Sequence, residues 1–149
     1  MVAILVFSLG MLGLALLQLK GAQYTRESGS RTAAIGLARS LAESMRANPE
    51  GALPKAGDSA YLYDGTKAYS DADCASTDVS TPAAIAKRDL ACWTQAIKAA
   101  IPAPTNGGAV ATVTKNSTLG TLTITVSWAG VAGTASADPS QSYSFSYLQ

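Results

Sequence analysis

The residues of this chain best suited to chemistry are its two cysteines. Cys74 and Cys92 are the only cysteines, and the chain contains no histidine. Histidine is the commonest general base and the commonest metal ligand, so its absence removes the usual components of hydrolytic and zinc sites. Oxidation to a disulfide is the chemistry left to the pair, and two buried free thiols are the alternative.

Four aspartates lie in one loop-like segment rich in glycine and serine: Asp64, Asp71, Asp73 and Asp78. Their spacing does not match a calcium-binding EF-hand loop, so we interpret them as solvated loop acids. No nucleophile-elbow, phosphate-loop or dinucleotide motif occurs. A net charge of +1 without a Lys/Arg cluster excludes a dedicated nucleic-acid surface. We therefore expect a protein with no catalytic residue, no metal and no cofactor, rather than an enzyme.

The first nineteen residues form an apolar segment without any charge. As a helix they span about 29 Å, which is close to the hydrocarbon thickness of a bilayer. A cleaved signal peptide, a plain membrane anchor and the first half of a longer helix are the three interpretations. A signal peptide has a basic start and a small-residue cleavage site, and neither is found here.

Continuity favours the longer helix. Past Leu19 there is no proline before Pro49, and Asn48-Pro49 is a typical stop signal. The second half has apolar residues at three- and four-residue spacing, which indicates an amphipathic helix. They are Ile35, Ala38, Leu41, Ala42 and Met45. We predict one helix from residue 1 to about 47, with residues 1–24 forming a membrane and assembly part and 25–149 an extracytoplasmic domain.

Within the apolar part we expect a membrane and assembly surface that contacts lipid and other helices. Its residues are Val2, Ile4, Leu5, Phe7, Ser8, Gly10, Gly13, Leu14 and Leu17. The glycines favour close helix packing, with a helix that extends or partly melts as the alternative. The basic residues Lys20, Arg26 and Arg31 follow, and positive-inside counting puts that side in the cytoplasm. A disulfide requires the opposite side, and we follow the cysteines.

The rest of the chain predicts one further helix and three strands. Thr81 is a suitable N-cap before Pro82, and Pro102 ends the helix. Residues 109–114, 119–128 and 143–147 alternate as strands, so we expect a three-stranded antiparallel sheet in an α+β fold. Its apolar face needs cover, and we predict that the long helix supplies it. The packing residues are Ile35, Ala38, Leu41 and Met45 on the helix and Leu122, Ile124 and Val126 on the sheet.

The segment MVAILVFSLGMLGLALLQLKG, followed by a helix ending SLAESMRANP, resembles the minor pilins of type IV pili, and most of all the PilV-type pilus modification proteins. A later helix with a tryptophan, DLACWTQ, and Thr/Val strands are also similar. Relative to the family pattern the chain is N-terminally truncated. The resemblance implies that the leader, the glycine cleaved by prepilin peptidase and the glutamate at the fifth mature position would stand before Met1, with an omitted true start and a late-assigned start codon as the alternatives.

The resemblance implies a long-helix pilin fold and an assembly-priming role. Its expected partners are other minor pilins and the major pilin through the N-terminal helix, a large tip adhesin, and the inner membrane before assembly. The expected location is the bacterial inner membrane with a periplasmic domain, then the surface pilus. A minor pseudopilin of type II secretion and a membrane-anchored periplasmic ligand-binding module are the alternatives.

Overall fold

The structure is a computed structural model that describes residues 2–108, 110–130 and 140–148. Within these ranges, four helices precede three strands. They are α1 (Val2–Ala47), α2 (Pro49–Ala52), α3 (Asp71–Cys74), α4 (Pro82–Ala100), β1 (Ala111–Asn116), β2 (Thr121–Ala129) and β3 (Ser140–Tyr147). This order confirms the predicted α+β, pilin-like architecture.

Helix α1 is one continuous element of 46 residues, about 69 Å long. It ends where predicted, because Asn48 precedes a proline and leaves the helical region. The side chain of Asn48 then accepts a hydrogen bond from the backbone N–H of Gly51 and so caps α2. The long helix therefore stops at a capped corner.

Helix α4 has the expected boundaries. The Thr81 hydroxyl accepts a hydrogen bond of 3.1 Å from the Ala84 N–H, and Pro82 occupies the first helical position. At the other end Ile101 is already extended, with φ −126° and ψ 123°. Proline after Ile101 prevents the helix from continuing.

The sheet has the order β1-β2-β3, and both pairs are antiparallel. Ile124 in the middle of β2 pairs with Val113 on one side and Phe145 on the other. β1 begins at Ala111, later than the predicted start at Ala109, which lies outside the described residues. β3 begins at Ser140 and not at the predicted Tyr143. The prediction missed these three residues because the serine-rich start of the strand lacks the apolar alternation that marks a strand in sequence.

The core lies between the second half of α1, helix α4 and the inward face of the sheet. β2 alternates strictly between buried and half-buried residues, so one face packs inward and the other faces outward. The largest side chains that are fully buried come from all three layers and from the loop before α3. They are Tyr61, Leu41, Met45, Leu90, Ile97, Leu122, Ile124, Val113 and Val126.

The segment from residue 49 to 81 is more ordered than its composition indicates. Besides the short helices α2 and α3, Tyr63 forms an antiparallel bridge with Val113 of β1. Helix α3 is closed by a capping box, in which Ser70 and Asp73 exchange side-chain and backbone hydrogen bonds. Local caps of this kind can order a polar segment even though the sequence of that segment shows no hydrophobic periodicity.

Candidate assembly helix and its supporting core

The first half of α1 projects away from the folded core. Among the described residues, α1 is the one helix that is long and apolar enough to cross a membrane. No part of its most apolar window is buried inside the chain. An apolar surface of this extent is covered either by lipid or by another protein.

The predicted membrane and assembly residues lie on this exposed half. Apolar side chains there are between 59% and 75% exposed from Val2 to Leu19, on all sides of the helix. These exposed residues include Val2, Ile4, Phe7, Leu14 and Leu17. The side chain of Leu5 lies outside the described residues. An apolar surface all round the helix fits a lipid environment or a bundle of helices better than a single docking face.

Ser8, Gly10 and Gly13 supply the small residues of the same half. The Ser8 hydroxyl donates a hydrogen bond of 2.8 Å to the carbonyl of Ile4, so it carries no unsatisfied donor into an apolar environment. A Cβ atom built on Gly10 or Gly13 meets no atom of the chain within 4 Å. Nothing inside this chain therefore requires glycine at either position.

The second half of α1 carries the residues that were predicted to pack on the sheet. Ala38 and Met45 are 0% exposed and Leu41 is 1% exposed, whereas Ile35 is only half-buried. Ala34, one residue earlier, is fully buried in its place. The small alanine allows close approach where α1 enters the core, and the larger isoleucine lies at its margin.

The sheet positions Leu122, Ile124 and Val126 are all 0% exposed and belong to the same core cluster as α1. Helix α4 is joined to α1 by a specific contact as well as by packing. The indole N–H of Trp93 donates a hydrogen bond of 3.0 Å to the backbone carbonyl of Leu37. Packing and this hydrogen bond fix the direction in which α1 leaves the domain.

Cys74 and Cys92 form the predicted disulfide, with their Cα atoms 4.7 Å apart. The bond joins the end of α3 to the middle of α4. The four residues of α3 include no buried side chain. The disulfide is therefore the covalent link that holds this short helix against the rest of the domain. The disulfide therefore attaches the polar loop before α4 to the helix that packs on α1.

A buried polar network at the end of α1 was not found from the sequence. The Tyr61 hydroxyl donates a hydrogen bond of 2.7 Å to the Asp89 carboxylate, and the Asn48 amide donates to the Tyr61 oxygen at 3.3 Å and to the Pro82 carbonyl at 2.8 Å. Burial, and then the hydrogen bond to Asp89, raises the pKa of Tyr61 well above its usual value. The network joins the ends of α1 and α4 to the loop between them.

Three of the four loop acids take part in local hydrogen bonds or an ion pair. Asp73 lies 2.7 Å from the Lys87 ammonium, and this contact, together with the hydrogen bonds from Ser70, holds the pKa of Asp73 well below its usual range. Asp64 and Asp78 accept hydrogen bonds from Thr66 and Ser80, which lower their pKa values as well. Within the described parts of the chain, no three His, Cys, Asp or Glu residues are grouped as metal ligands.

A long helix with an exposed apolar half and a half packed on a small antiparallel sheet defines a pilin-like protein. The model of the Tt1218-like family, described as type IV pilin Tt1218, matches residues 16–91. The chain belongs to this family of type IV pilins, and the match covers the end of the apolar half, the whole packed half and the first part of α4. No curated protein and no solved structure matches the chain.

Proposed function

We propose that the chain is a minor pilin of the PilV type, an assembly-priming subunit of a type IV pilus. The observation that carries the proposal is the continuity of α1, whose apolar half is exposed on all sides and whose other half is locked into the core. Such a subunit passes rigidly from a bilayer into a bundle of similar helices. Membership of a type IV pilin family supports the pilin role, and the resemblance to PilV-type proteins supports the minor one.

Before assembly, residues 1–24 lie in the inner membrane and residues 25–149 form the periplasmic domain. The Cys74–Cys92 disulfide supports this side of the membrane, because disulfides persist in oxidising compartments. In the filament, the exposed apolar surface is covered by the helices of other minor pilins and of the major pilin. The proposed position is a tip complex, where a large adhesin is the further partner.

Contacts between helices in lipid depend on close packing, since lipid tails are as apolar as the side chains. Gly10 and Gly13 are the residues that permit such closeness, and their surroundings within the chain are empty. Leucine at both positions leaves the fold of the subunit intact. It obstructs neighbouring helices, and assembly is the step that suffers.

The test is deletion of the gene, a count of surface pili, and complementation with the wild-type chain or with the Gly10→Leu/Gly13→Leu variant. We expect the deletion to lower the pilus count, the wild type to restore it and the double variant to fail although it accumulates in the membrane. Gly29→Leu is the matched control, because Gly29 is also an open helical position of α1 but lies outside the apolar half.

Two outcomes contradict the proposal. Unchanged piliation in the deletion strain removes the assembly role, and lost protein secretion with normal pili indicates a type II pseudopilin. The copy number in sheared pili tests the minor role separately. A chain as abundant as the main subunit is a major pilin.

A further inference from the structure

A group of basic and amphipathic side chains lies on α1 directly after its apolar half. Lys20, Tyr24 and Arg26 form this group, called here the basic collar. All three are exposed, with Tyr24 58% exposed, and none takes part in an ion pair within the described residues. The collar is therefore available to a partner outside the chain.

The collar covers a broad arc of α1. At about 100° per residue, Tyr24 lies about 40° from Lys20 around the helix axis and Arg26 lies about 120° away on the other side. The three side chains therefore span about 160° of the helix circumference, and a helix that crosses a bilayer meets lipid headgroups along the whole of such an arc.

The depth of the collar matches the headgroup layer. Arg26 follows Leu19 by seven residues, about 10 Å along the helix axis, and each headgroup layer is about 5–8 Å thick. Helical side chains tilt toward the N-terminus, and long basic side chains extend toward the membrane interface. Tyrosine is enriched at the same level of membrane proteins. With residues up to Leu19 in hydrocarbon, the collar reaches lipid headgroups.

The folded domain begins at the same level of α1. A cleft of about 270 Å³ is lined by Arg26 and neighbouring residues of α1 on one side and by Pro102, Ala129 and Gly130 on the other. A second cleft lies across the helix, between Tyr24 and residues of β2 and β3. This end of the domain is therefore next to the collar, and a membrane surface that contacts the collar also lies close to Pro102, Ala129 and Gly130.

The charge of this region selects the type of lipid. From residue 20 to 31 the chain carries Lys20, Arg26 and Arg31 against one acid, Glu27. Basic residues near an anionic membrane surface are attracted to it, and salt weakens the attraction. Basic flanks are also uncommon on the side of a membrane opposite to the cytoplasm, and a contact with anionic lipid gives the three beside this disulfide-bonded domain a favourable role.

We propose that the basic collar binds the phosphate groups of anionic phospholipids and holds the membrane-proximal end of the domain against the bilayer surface. The proposal rests on the membrane insertion described under the proposed function. It adds a specific lipid partner for the unassembled subunit. Release of the collar from these headgroups then becomes part of the step in which the subunit leaves the membrane.

The test uses the full chain in vesicles of phosphatidylcholine alone or with one quarter phosphatidylglycerol, each containing a dansyl-headgroup lipid. Energy transfer from Trp93 and Trp128 to dansyl reports how near the domain lies to the surface. We expect stronger transfer in the anionic vesicles and a decrease at 0.5 M salt. Each basic residue near an anionic surface contributes about fivefold to such an equilibrium, so Lys20→Gln/Arg26→Gln lowers the ratio of docked to undocked domain by about 25-fold.

Two further variants make the test specific. Arg39→Gln/Lys55→Gln removes the same charge from exposed positions outside the collar and is expected to behave as wild type. Lys20→Arg/Arg26→Lys keeps the charge and is expected to retain docking. Equal transfer in both vesicle types, or an equal loss in the Arg39/Lys55 variant, overturns the collar while membrane insertion stands. A chain that does not float with either vesicle overturns the proposed function itself.

Discussion

The indole N–H of Trp93 on α4 donates a hydrogen bond to the backbone carbonyl of Leu37 on α1, across 56 residues of sequence. The same ring meets Tyr63 edge-on, with the ring centroids 6.4 Å apart. One side chain therefore contacts α1, the loop before α3 and its own helix α4. It fixes the domain to α1 at the level where the helix enters the core.

Replacement of Trp93 by phenylalanine is expected to destabilise the domain by about 1–2 kcal/mol, from one lost hydrogen bond and a small cavity. The loss is moderate because the Leu37 carbonyl keeps its intrahelical donor. Thermal or urea unfolding of the full chain in detergent micelles, followed by near-ultraviolet circular dichroism, measures it.

Trp128→Phe is the matched control. Trp128 is 3% exposed, close to the 5% of Trp93, but its indole N–H has no hydrogen-bond partner within the described residues. Its removal deletes similar volume and no hydrogen bond, so we expect a smaller loss of stability. An equal or larger loss for Trp128→Phe would show that the bond to Leu37 contributes nothing.

The raised pKa of Tyr61 predicts that the folded protein loses stability at alkaline pH. Its pKa is raised in the folded protein above the usual value near 10. At a pH between the pKa of Tyr61 in the unfolded chain and its pKa in the folded protein, the unfolded chain has lost the tyrosine proton while the folded protein keeps it. The contribution is therefore fully present below pH 10 and decreases above it, by about 1.4 kcal/mol per pH unit for this one group. Urea unfolding between pH 8 and 11.5 measures the slope.

The comparison with Tyr61→Phe isolates this group from other residues that titrate in alkali. The variant is expected to be less stable at pH 8 by about 1–3 kcal/mol, because Asp89 and Asn48 lose a buried hydrogen-bond partner. Its stability should decrease less steeply above pH 10, so the difference between the two proteins narrows. Parallel pH profiles would disprove the assignment.

The sequence predicts those features that depend on local patterns. The alternation of β2, the caps of α4 and the stop at Asn48-Pro49 all depend on neighbouring residues, and all three are found. The hydrogen bond between Tyr61 and Asp89 joins positions 28 residues apart. No local periodicity indicates such a pair, because the partners meet only when the loop before α3 packs against α4.

The prediction that Ile35 packs on the sheet, where the structure buries Ala34, failed for a similar physical reason. Hydrophobicity alone selects the isoleucine, yet the buried face of α1 uses the smaller Ala34. Side-chain size matters at a close helix approach, and the distance to the opposing layer is not contained in the pattern of one helix. The residues proposed for assembly in the apolar half differ again, because the partners proposed for them belong to other molecules.

The disulfide is expected to stabilise the domain chiefly by restricting the unfolded chain. Cys74 and Cys92 are 18 residues apart, and a loop of this length contributes about 3 kcal/mol in the chain-entropy model. The variant Cys74→Ser/Cys92→Ser should lose about this amount, and thiol titration of the native chain should find no free thiol. Two titratable thiols in the chain isolated from its natural membrane would contradict both the bond and the oxidising compartment.

Two glycines on either side of Asn48 should respond to alanine in opposite directions. A Cβ atom on Gly51 lies 2.9 Å from the Pro82 carbonyl oxygen and collides with the Asn48 amide, which caps α2, so Gly51→Ala should cost about 1–3 kcal/mol. A Cβ atom on Gly36 meets nothing within 4 Å on an exposed position of α1, so Gly36→Ala should add about 0.5–1 kcal/mol through helix propensity. Unfolding of both variants in the same micelles compares them directly. If the Gly51→Ala variant were as stable as the Gly36→Ala variant, the corner between α1 and α2 would tolerate a side chain and would not be closely packed.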